Sequence, residues 1–330
     1  MLNSQLAEWL NLIGRWVHLI AGIAWIGSSF YFMWLDSALE APETPDEKIE
    51  GQLWMVHSGG FYQVQRRRIG PGQMPKTLHW FKWEAMITWL SGLFLLAVVY
   101  YLSGGAYLLD SSVSAITNAQ AVGMSIGLLV AAWFVYDTLF QSALGRSRAA
   151  TVIAAGLLVG LVYGLTHVLS GRAAYIHVGA ILGSCMTLNV WVRILPAQQK
   201  MVDATARGEK PDFTNSDKAK RRSVHNTYIT FPLLFIMLSN HFPSTFGNRL
   251  NWVVLLLIMV AGAGVRHLMV AKNTKQAAWV LWPVGAALVA LIYLTAPISA
   301  PAAAGPAVPF SAVHAIVGQR CLQCHSANPT

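Results

Sequence analysis

The feature that most constrains this chain is a series of apolar stretches, each about 20 residues long. A helix of that length crosses the roughly 30 Å hydrocarbon core of a bilayer. Only 11% of the residues are charged, against about 25% in soluble domains, which excludes an ordinary soluble enzyme. The sequence therefore predicts an all-α polytopic membrane protein with about eight transmembrane helices, at 11–35, 84–103, 121–140, 150–169, 173–195, 224–242, 250–270 and 277–296.

The basic residues are distributed unequally between the two sets of predicted loops. One set carries 17 Lys and Arg residues, and the other set, together with the tail, carries 3. Loops rich in Lys and Arg remain in the cytoplasm, so both termini are expected on the periplasmic side of a bacterial inner membrane. The net charge of +9 then reflects topology and does not indicate a nucleic-acid partner.

The C-terminal tail carries the most specific motif. Residues 297–309 form a Pro/Ala-rich spacer, which divides a membrane domain (1–296) from a terminal segment (310–330). That segment contains Cys321, Cys324 and His325 in the C-x-x-C-H pattern of c-type haem attachment. The thiols bind the porphyrin covalently, and the histidine ligates the iron. A zinc half-site and a redox dithiol are the alternatives.

The tail is short for a cytochrome domain. Residues 326–330 are all that follow His325, and no methionine is among them. Domains below about 40 residues rarely fold alone. We expect the chain to be a truncated version of a longer protein, with residues 310–330 as a haem-attachment segment.

Ionisable residues inside the predicted spans are functional candidates because burying them in a membrane is costly. His18 and His177, near the outer side, are candidate ligands of a b-type haem, or they satisfy helix ends by hydrogen bonding. The inner side carries the candidates for an anion pocket and its catalytic groups. These are Arg193, His225, Arg266 and His267. The arginines could equally follow the positive-inside rule, although Arg266 follows a small-residue stretch, 261–264, that permits close helix approach.

Five sequence blocks, in order, resemble the membrane-bound bacterial urate hydroxylases. They are WVHLIAGIAWIGSSFYFMWLD, HSGGFYQVQ, LHWFKWEAMITWLSG, NVWVRILPAQQKMV and RSVHNTYITFPLLFIMLSNHFP. The resemblance implies an eight-helix urate oxidase N-terminal domain, a linker and a C-terminal cytochrome c. It implies oxidation of urate to 5-hydroxyisourate in purine breakdown, with electrons passed to c-type haem and the respiratory chain. Cys321, Cys324 and His325 match the haem motif of the family, whereas the resemblance assigns no catalytic residue in the membrane part.

For urate, an anion, the candidate site needs a cation such as Arg193 or Arg266 and a base such as His225 or His267. The principal alternative is a membrane cytochrome that only transfers electrons between quinol and a periplasmic acceptor. In that case quinol, and not urate, reduces the haem. A transporter or copper permease is the third class, and the haem motif argues against it.

Overall fold

Helices account for most of the chain, and one β-hairpin interrupts them. The structure, a computed structural model, describes residues 4–44, 46–210, 213–271, 274–297 and 308–321. The hairpin consists of β1 (Ile49–His57) and β2 (Gly60–Arg67). The helices are α1 (Ser4–Ala38), α2 (Trp83–Leu96), α3 (Asn118–Gln141), α4 (Arg148–Thr166), α5 (Gly171–Leu188), α6 (Leu195–Ala206), α7 (Phe213–Leu238), α8 (Pro243–Phe246), α9 (Asn251–Val270), α10 (Thr274–Ala277), α11 (Leu281–Thr295) and α12 (Phe310–Arg320).

Local sequence signals set several helix ends. The Thr117 hydroxyl accepts a hydrogen bond from the Gln120 backbone N–H at 3.3 Å, and the Gln120 side chain accepts one from the Thr117 backbone at 2.9 Å. This reciprocal pair is a capping box at the start of α3. Ser147 and Ser170 cap α4 and α5 in the same position. Each cap satisfies backbone donors that a helix leaves free at its start.

Seven of the eight predicted spans are confirmed as helices long and apolar enough to cross a membrane. The stretch 224–242 is the exception within the described residues. It begins in the middle of α7, whose first half is rich in charged and polar residues. The apolar run that follows His225 is therefore too short to meet the same criterion before α7 ends at Leu238. The sequence predicts about eight spans, and seven of them meet this criterion; the stretch 224–242 forms the second half of α7, a helix of two unlike halves.

Helix α7 packs against α5, α6 and α9, and in its polar half Ala219 and Arg222 are buried while Lys218 and Lys220 are exposed. The Asn226 amide donates to the Met186 carbonyl at 3.0 Å, which ties α7 to α5. Pro232 lies inside α7, and a Cβ added to Gly262 of α9 would lie only 3.1 Å from the Pro232 ring. The glycine thus permits the close approach that the 261–264 stretch predicts.

The hairpin is the element that the all-α prediction missed. Ser58 and Gly59 form its turn with positive φ angles of 49° and 78°, as a type I′ turn requires. Glu40, after α1, exchanges two backbone hydrogen bonds of 2.9 Å with Gln52 of β1. The Tyr31 hydroxyl contacts the Met55 sulfur at 3.6 Å. The segment expected to be a long inner loop is therefore an ordered sheet attached to α1.

An exposed ion-pair cluster at the base of the hairpin makes its attachment sensitive to acid. Arg68 donates to Glu50 at 2.8 Å and Arg66 contacts it at 3.0 Å. The hydrogen bond from Arg68, with the charges of both arginines, holds the pKa of Glu50 below its ordinary value of 4.5. A lowered pKa stabilises the folded hairpin above pH about 4.5, and this stabilisation is lost as the pH falls through the lowered value.

We therefore expect amide exchange in β1 and β2 to accelerate below pH about 4.5, measured as deuterium uptake by mass spectrometry and corrected for the intrinsic pH dependence. The variant Glu50→Gln should lack this additional acceleration because its side chain does not titrate. An identical acid response in the variant would contradict the assignment.

Candidate functional site

A π-helical turn, Asn189–Ile194, joins α5 to α6 and carries two polar side chains, one buried and one partly exposed. Pro196 follows at the start of α6. Proline has no backbone N–H and cannot donate within the helix. Such widened turns are frequent at functional sites because they redirect side chains. Here the turn carries Asn189, which is fully buried, and Arg193, which faces Asp137 on α3.

Asp137 is shared by two arginines. Arg193 donates from Nε to Oδ1 at 2.9 Å and from Nη2 to Oδ2. Arg222 of α7 donates from Nη2 to Oδ1 at 2.7 Å and to the Asp137 carbonyl at 3.2 Å. The side chains of Arg222 and Asp137 are only 4% and 12% exposed. Since one carboxylate faces two guanidinium groups, the cluster keeps a net positive charge.

His225 lies one turn after Arg222 and is held by Tyr136. Its Nδ1 is 2.7 Å from the Tyr136 hydroxyl, and the Phe140 ring centroid is 4.4 Å from its own. The hydroxyl also accepts from Asn189 Nδ2 at 2.9 Å. Because a hydroxyl can donate or accept, Tyr136 holds either neutral imidazole tautomer. The tautomer protonated at Nδ1 leaves Nε2 able to accept a proton.

Arg193, Arg222, His225 and Phe140 line a cavity of about 390 Å³, called here the basic cavity, whereas Asp137, Tyr136 and Asn189 lie behind them and do not line it. Arg222 has a further feature: its Nη1 atom is buried without a hydrogen-bond partner among the described residues. No carboxylate is among the described residues that line the cavity. The cationic lining without a carboxylate favours an anionic ligand. The charged and aromatic lining residues are Phe140, Arg146, Arg193, Lys200, Lys218, Arg221, Arg222 and His225.

Arg266 and His267 form a separate cluster. The Arg266 guanidinium lies over the Phe30 ring at 4.4 Å from its centroid and over Phe231 at 5.7 Å. Its Nη2 contacts the Met33 sulfur, and no ion pair involves it among the described residues. His267 Nδ1 is 2.6 Å from the Tyr228 hydroxyl. None of these partners lines the basic cavity.

The outer histidines occupy different environments. His18 Nδ1 is 2.9 Å from the Thr88 carbonyl and 3.1 Å from the Ser91 hydroxyl. His177 is fully buried, with Nδ1 2.7 Å from the Ala173 carbonyl and Nε2 3.2 Å from the Tyr101 hydroxyl. Since both ring nitrogens of His177 are hydrogen-bonded, neither is available to iron. His177 as placed therefore does not fit a b-type haem shared with His18.

Of the haem c motif, the described part of the chain includes Cys321 alone. Cys321 follows α12 and its thiol is exposed. Cys324 and His325 lie outside the described residues, as does most of the Pro/Ala spacer at 297–309. Within the described ranges, no group of three or more His, Cys, Asp and Glu residues could hold a metal ion.

The structure thus brings Arg193 and His225 to one cavity and places Arg266 and His267 elsewhere. Sequence reasoning missed the residues that organise the cavity: Asp137, Arg222 and Tyr136. Asp137 could have been found, because an acidic residue within an apolar span indicates a buried cationic partner. Arg222 was read only as one of several loop charges, since its burial depends on how α7 packs.

The fold and the cavity together define a class: a polytopic helical protein with a basic cavity between α3, α6 and α7. A family model described as urate oxidase N-terminal matches residues 4–296, and the chain belongs to this family. No curated protein and no solved structure matches the chain. Family membership points to oxidation chemistry related to urate.

Proposed function

We propose that this protein is a membrane-bound oxidoreductase that oxidises urate to 5-hydroxyisourate in purine catabolism. The basic cavity is the substrate site, and the electrons pass to a c-type haem and the respiratory chain. The protein resides in the bacterial inner membrane with both termini in the periplasm. The cavity is lined by the end of α3 and the α3–α4 connection, by α6 with the preceding π turn, and by the polar first half of α7; the positive-inside rule assigns this basic region to the cytoplasmic side. Urate made in the cytoplasm reaches it directly.

One observation carries the substrate assignment: several cations and no carboxylate line the cavity within the described residues. Urate is a planar anion with carbonyl oxygens that accept hydrogen bonds. The arginine and lysine side chains of the cavity wall can donate to such oxygens, and the Phe140 ring offers a flat apolar surface. Lys200 and Lys218 add positive charge at the cavity wall.

The reaction balances as a two-electron oxidation. The urate monoanion and one water molecule give neutral 5-hydroxyisourate, one proton and two electrons, with a new C–O bond at carbon 5. His225 Nε2 can accept a proton from the attacking water while Tyr136 holds the ring through Nδ1. The positive charge of Arg193 and Arg222 stabilises the anionic substrate within the cavity.

A c-type haem bound through Cys321 and Cys324, with His325 as iron ligand, would supply a one-electron acceptor for this chemistry. The exposed Cys321 thiol is accessible for such attachment.

The test is urate consumption by the purified full chain in detergent, with ferricyanide as an artificial electron acceptor and the haem spectrum recorded in parallel. We expect urate to be consumed and any attached haem to be reduced. If dithionite or quinol reduces the haem and urate does not, the electron-transfer alternative replaces the proposal.

The cavity lysines provide a graded test of substrate binding. The double variant Lys200→Gln/Lys218→Gln should raise KM for urate about five- to tenfold, from about 1 kcal/mol for loss of solvent-exposed charge interactions. The kcat should change little, because these charges contact substrate and transition state alike. The control is Lys48→Gln/Lys76→Gln, which removes equal charge outside the cavity. Equal KM values in both variants would contradict the assignment of the basic cavity as the urate site.

A further inference from the structure

A second cavity, of about 950 Å³, lies on the other side of α7 from the Tyr136–His225 pair. Helix α1, the segment 66–81, the π turn with α6, and α7 all contribute to its wall. This volume is at the upper end of the range for ligand sites, about 300–1,000 Å³. It is far larger than the basic cavity, and we call it the large cavity.

The lining of the large cavity is mostly apolar and aromatic. The Phe32 and Phe81 rings meet edge to face at 5.0 Å and join α1 to the segment that precedes α2. A few hydroxyl and amide groups interrupt the apolar surface, including Ser29, Asn226 and Thr230. The other main apolar contributors are Trp25, Ile26, Leu78, Trp80, Val190, Ile194, Leu195, Met201 and Val202.

Three arginines reach the large cavity, and acidic partners compensate their charge. Arg66 contacts Asp36 at 3.4 Å and Glu50 at 3.0 Å. Arg68 also pairs with Glu50, and Arg67 lies 3.7 Å from Asp46. The cavity therefore differs from the basic cavity, whose lining has cations and no carboxylate. It suits a neutral molecule with a large apolar part and a few hydrogen-bonding oxygens.

The two cavities are connected by a short hydrogen-bonded chain. His225 lines the basic cavity and Asn226 lines the large one. Between them, Asn189 Nδ2 donates to the Tyr136 hydroxyl and to Asn226 Oδ1, both at 2.9 Å. Asn189 is fully buried. Four side chains thus link a site suited to an anion with a site suited to an apolar molecule.

The large cavity also lies close to the lipid-facing surface. Its α1 wall has an opposite face that is apolar and exposed: Leu19, Ile20 and Ile23 are 61%, 55% and 64% exposed. On a helix that spans a membrane, such a face contacts lipid. A ligand dissolved in the bilayer would have to pass only α1 to enter.

We propose that the large cavity binds a lipid-soluble quinone that accepts the electrons released by substrate oxidation. The inference rests on the proposed function. In the balanced reaction, the urate monoanion, water and quinone, with one proton from solution, give 5-hydroxyisourate and quinol. The quinone takes two electrons and two protons, and Asn226 can donate a hydrogen bond to one quinone oxygen if its amide turns from Met186. The membrane domain thus has its own acceptor, besides the haem of the tail.

Photolabelling of the full chain in detergent tests binding without requiring turnover. The probe is a short-chain azidoquinone, and labelled peptides are mapped by mass spectrometry. We expect labels within 25–32, 78–81 and 186–205, displaced by excess unlabelled short-chain quinone. Labels outside these segments, labels that excess quinone does not displace, or equal displacement by an anionic phospholipid would each overturn the proposal.

Two neighbouring serines on α1 give a matched pair of variants. Ser29 lines the large cavity and Ser28 does not. Ser29→Phe fills part of the cavity and should lower both labelling and urate-linked quinone reduction about tenfold. Ser28→Phe should leave both labelling and quinone reduction unchanged. Urate oxidation with ferricyanide as acceptor should be unchanged in both variants. If the unmodified protein does not oxidise urate with ferricyanide, the proposed function is refuted. The quinone site is still tested in that case, because photolabelling requires no urate.

Discussion

Replacing Asp137 by asparagine is expected to lower the free energy of unfolding by about 3–5 kcal/mol, the usual cost of leaving a buried ion pair without one partner. Asp137 neutralises Arg222, whose side chain is 4% exposed, and it also pairs with Arg193. In the variant, two cations face each other without a carboxylate. An amide oxygen can still accept one hydrogen bond, but its NH₂ group faces guanidinium donors.

This loss can be measured as the unfolding midpoint in detergent, by temperature or by denaturant. Asp203→Asn is the matched control: Asp203 lies on α6, is exposed, and its carboxylate accepts from the Gln199 side chain at 2.8 Å. Surface changes of this kind usually stay within about 0.5 kcal/mol. If the two variants unfold alike, Asp137 does not hold α3, α6 and α7 together.

The helices were largely predictable because a helix that crosses a bilayer must have a certain length and an apolar composition. Both properties can be read from the sequence without knowing which helices pack together. Seven of the predicted spans are helices of membrane length. The stretch in α7 does not meet that criterion because the first half of the helix, from Phe213, is rich in charged and polar residues. Its position in the fold comes from packing against α5, α6 and α9. A window of apolar residues does not report that packing.

The hairpin was missed for a different reason. Its signal is local: Ser58 and Gly59 form a two-residue turn between segments of high β-propensity. That signal was present in HSGGFY, yet the neighbouring membrane spans dominated the interpretation of the region as a loop. Turn chemistry, examined separately from hydropathy, would have predicted β1 and β2.

The candidate residues chosen from the sequence fall into two groups in the structure. Charge and depth selected Arg193 and His225, which line one cavity, and also Arg266 and His267, whose partners are Phe30, Phe231 and Tyr228. Depth along a helix is readable from sequence, whereas the direction in which a side chain faces depends on helix rotation. The π turn at Asn189–Ile194 changes that rotation, so spacing alone could not place Arg193 against Asp137.

The second large effect is catalytic: His225→Ala should lower kcat for urate oxidation by about 10²- to 10⁴-fold, the usual contribution of a positioned general acid or base. The ring is held by the Tyr136 hydroxyl at 2.7 Å and by Phe140, so its loss removes a proton acceptor whose geometry is fixed. KM for urate should change little, because Arg193, Arg222 and the cavity lysines remain.

Initial rates with ferricyanide as acceptor measure this effect, and added imidazole should restore part of the rate because it can occupy the vacated space. His167→Gln is the matched control. His167 is an exposed histidine at the end of α4, with Nδ1 bonded to the Tyr163 carbonyl at 2.7 Å, and it does not line the basic cavity. A folded His225→Ala protein that retains full kcat would remove His225 from the chemistry. It would restrict the cavity's role to binding the anion through Arg193 and Arg222.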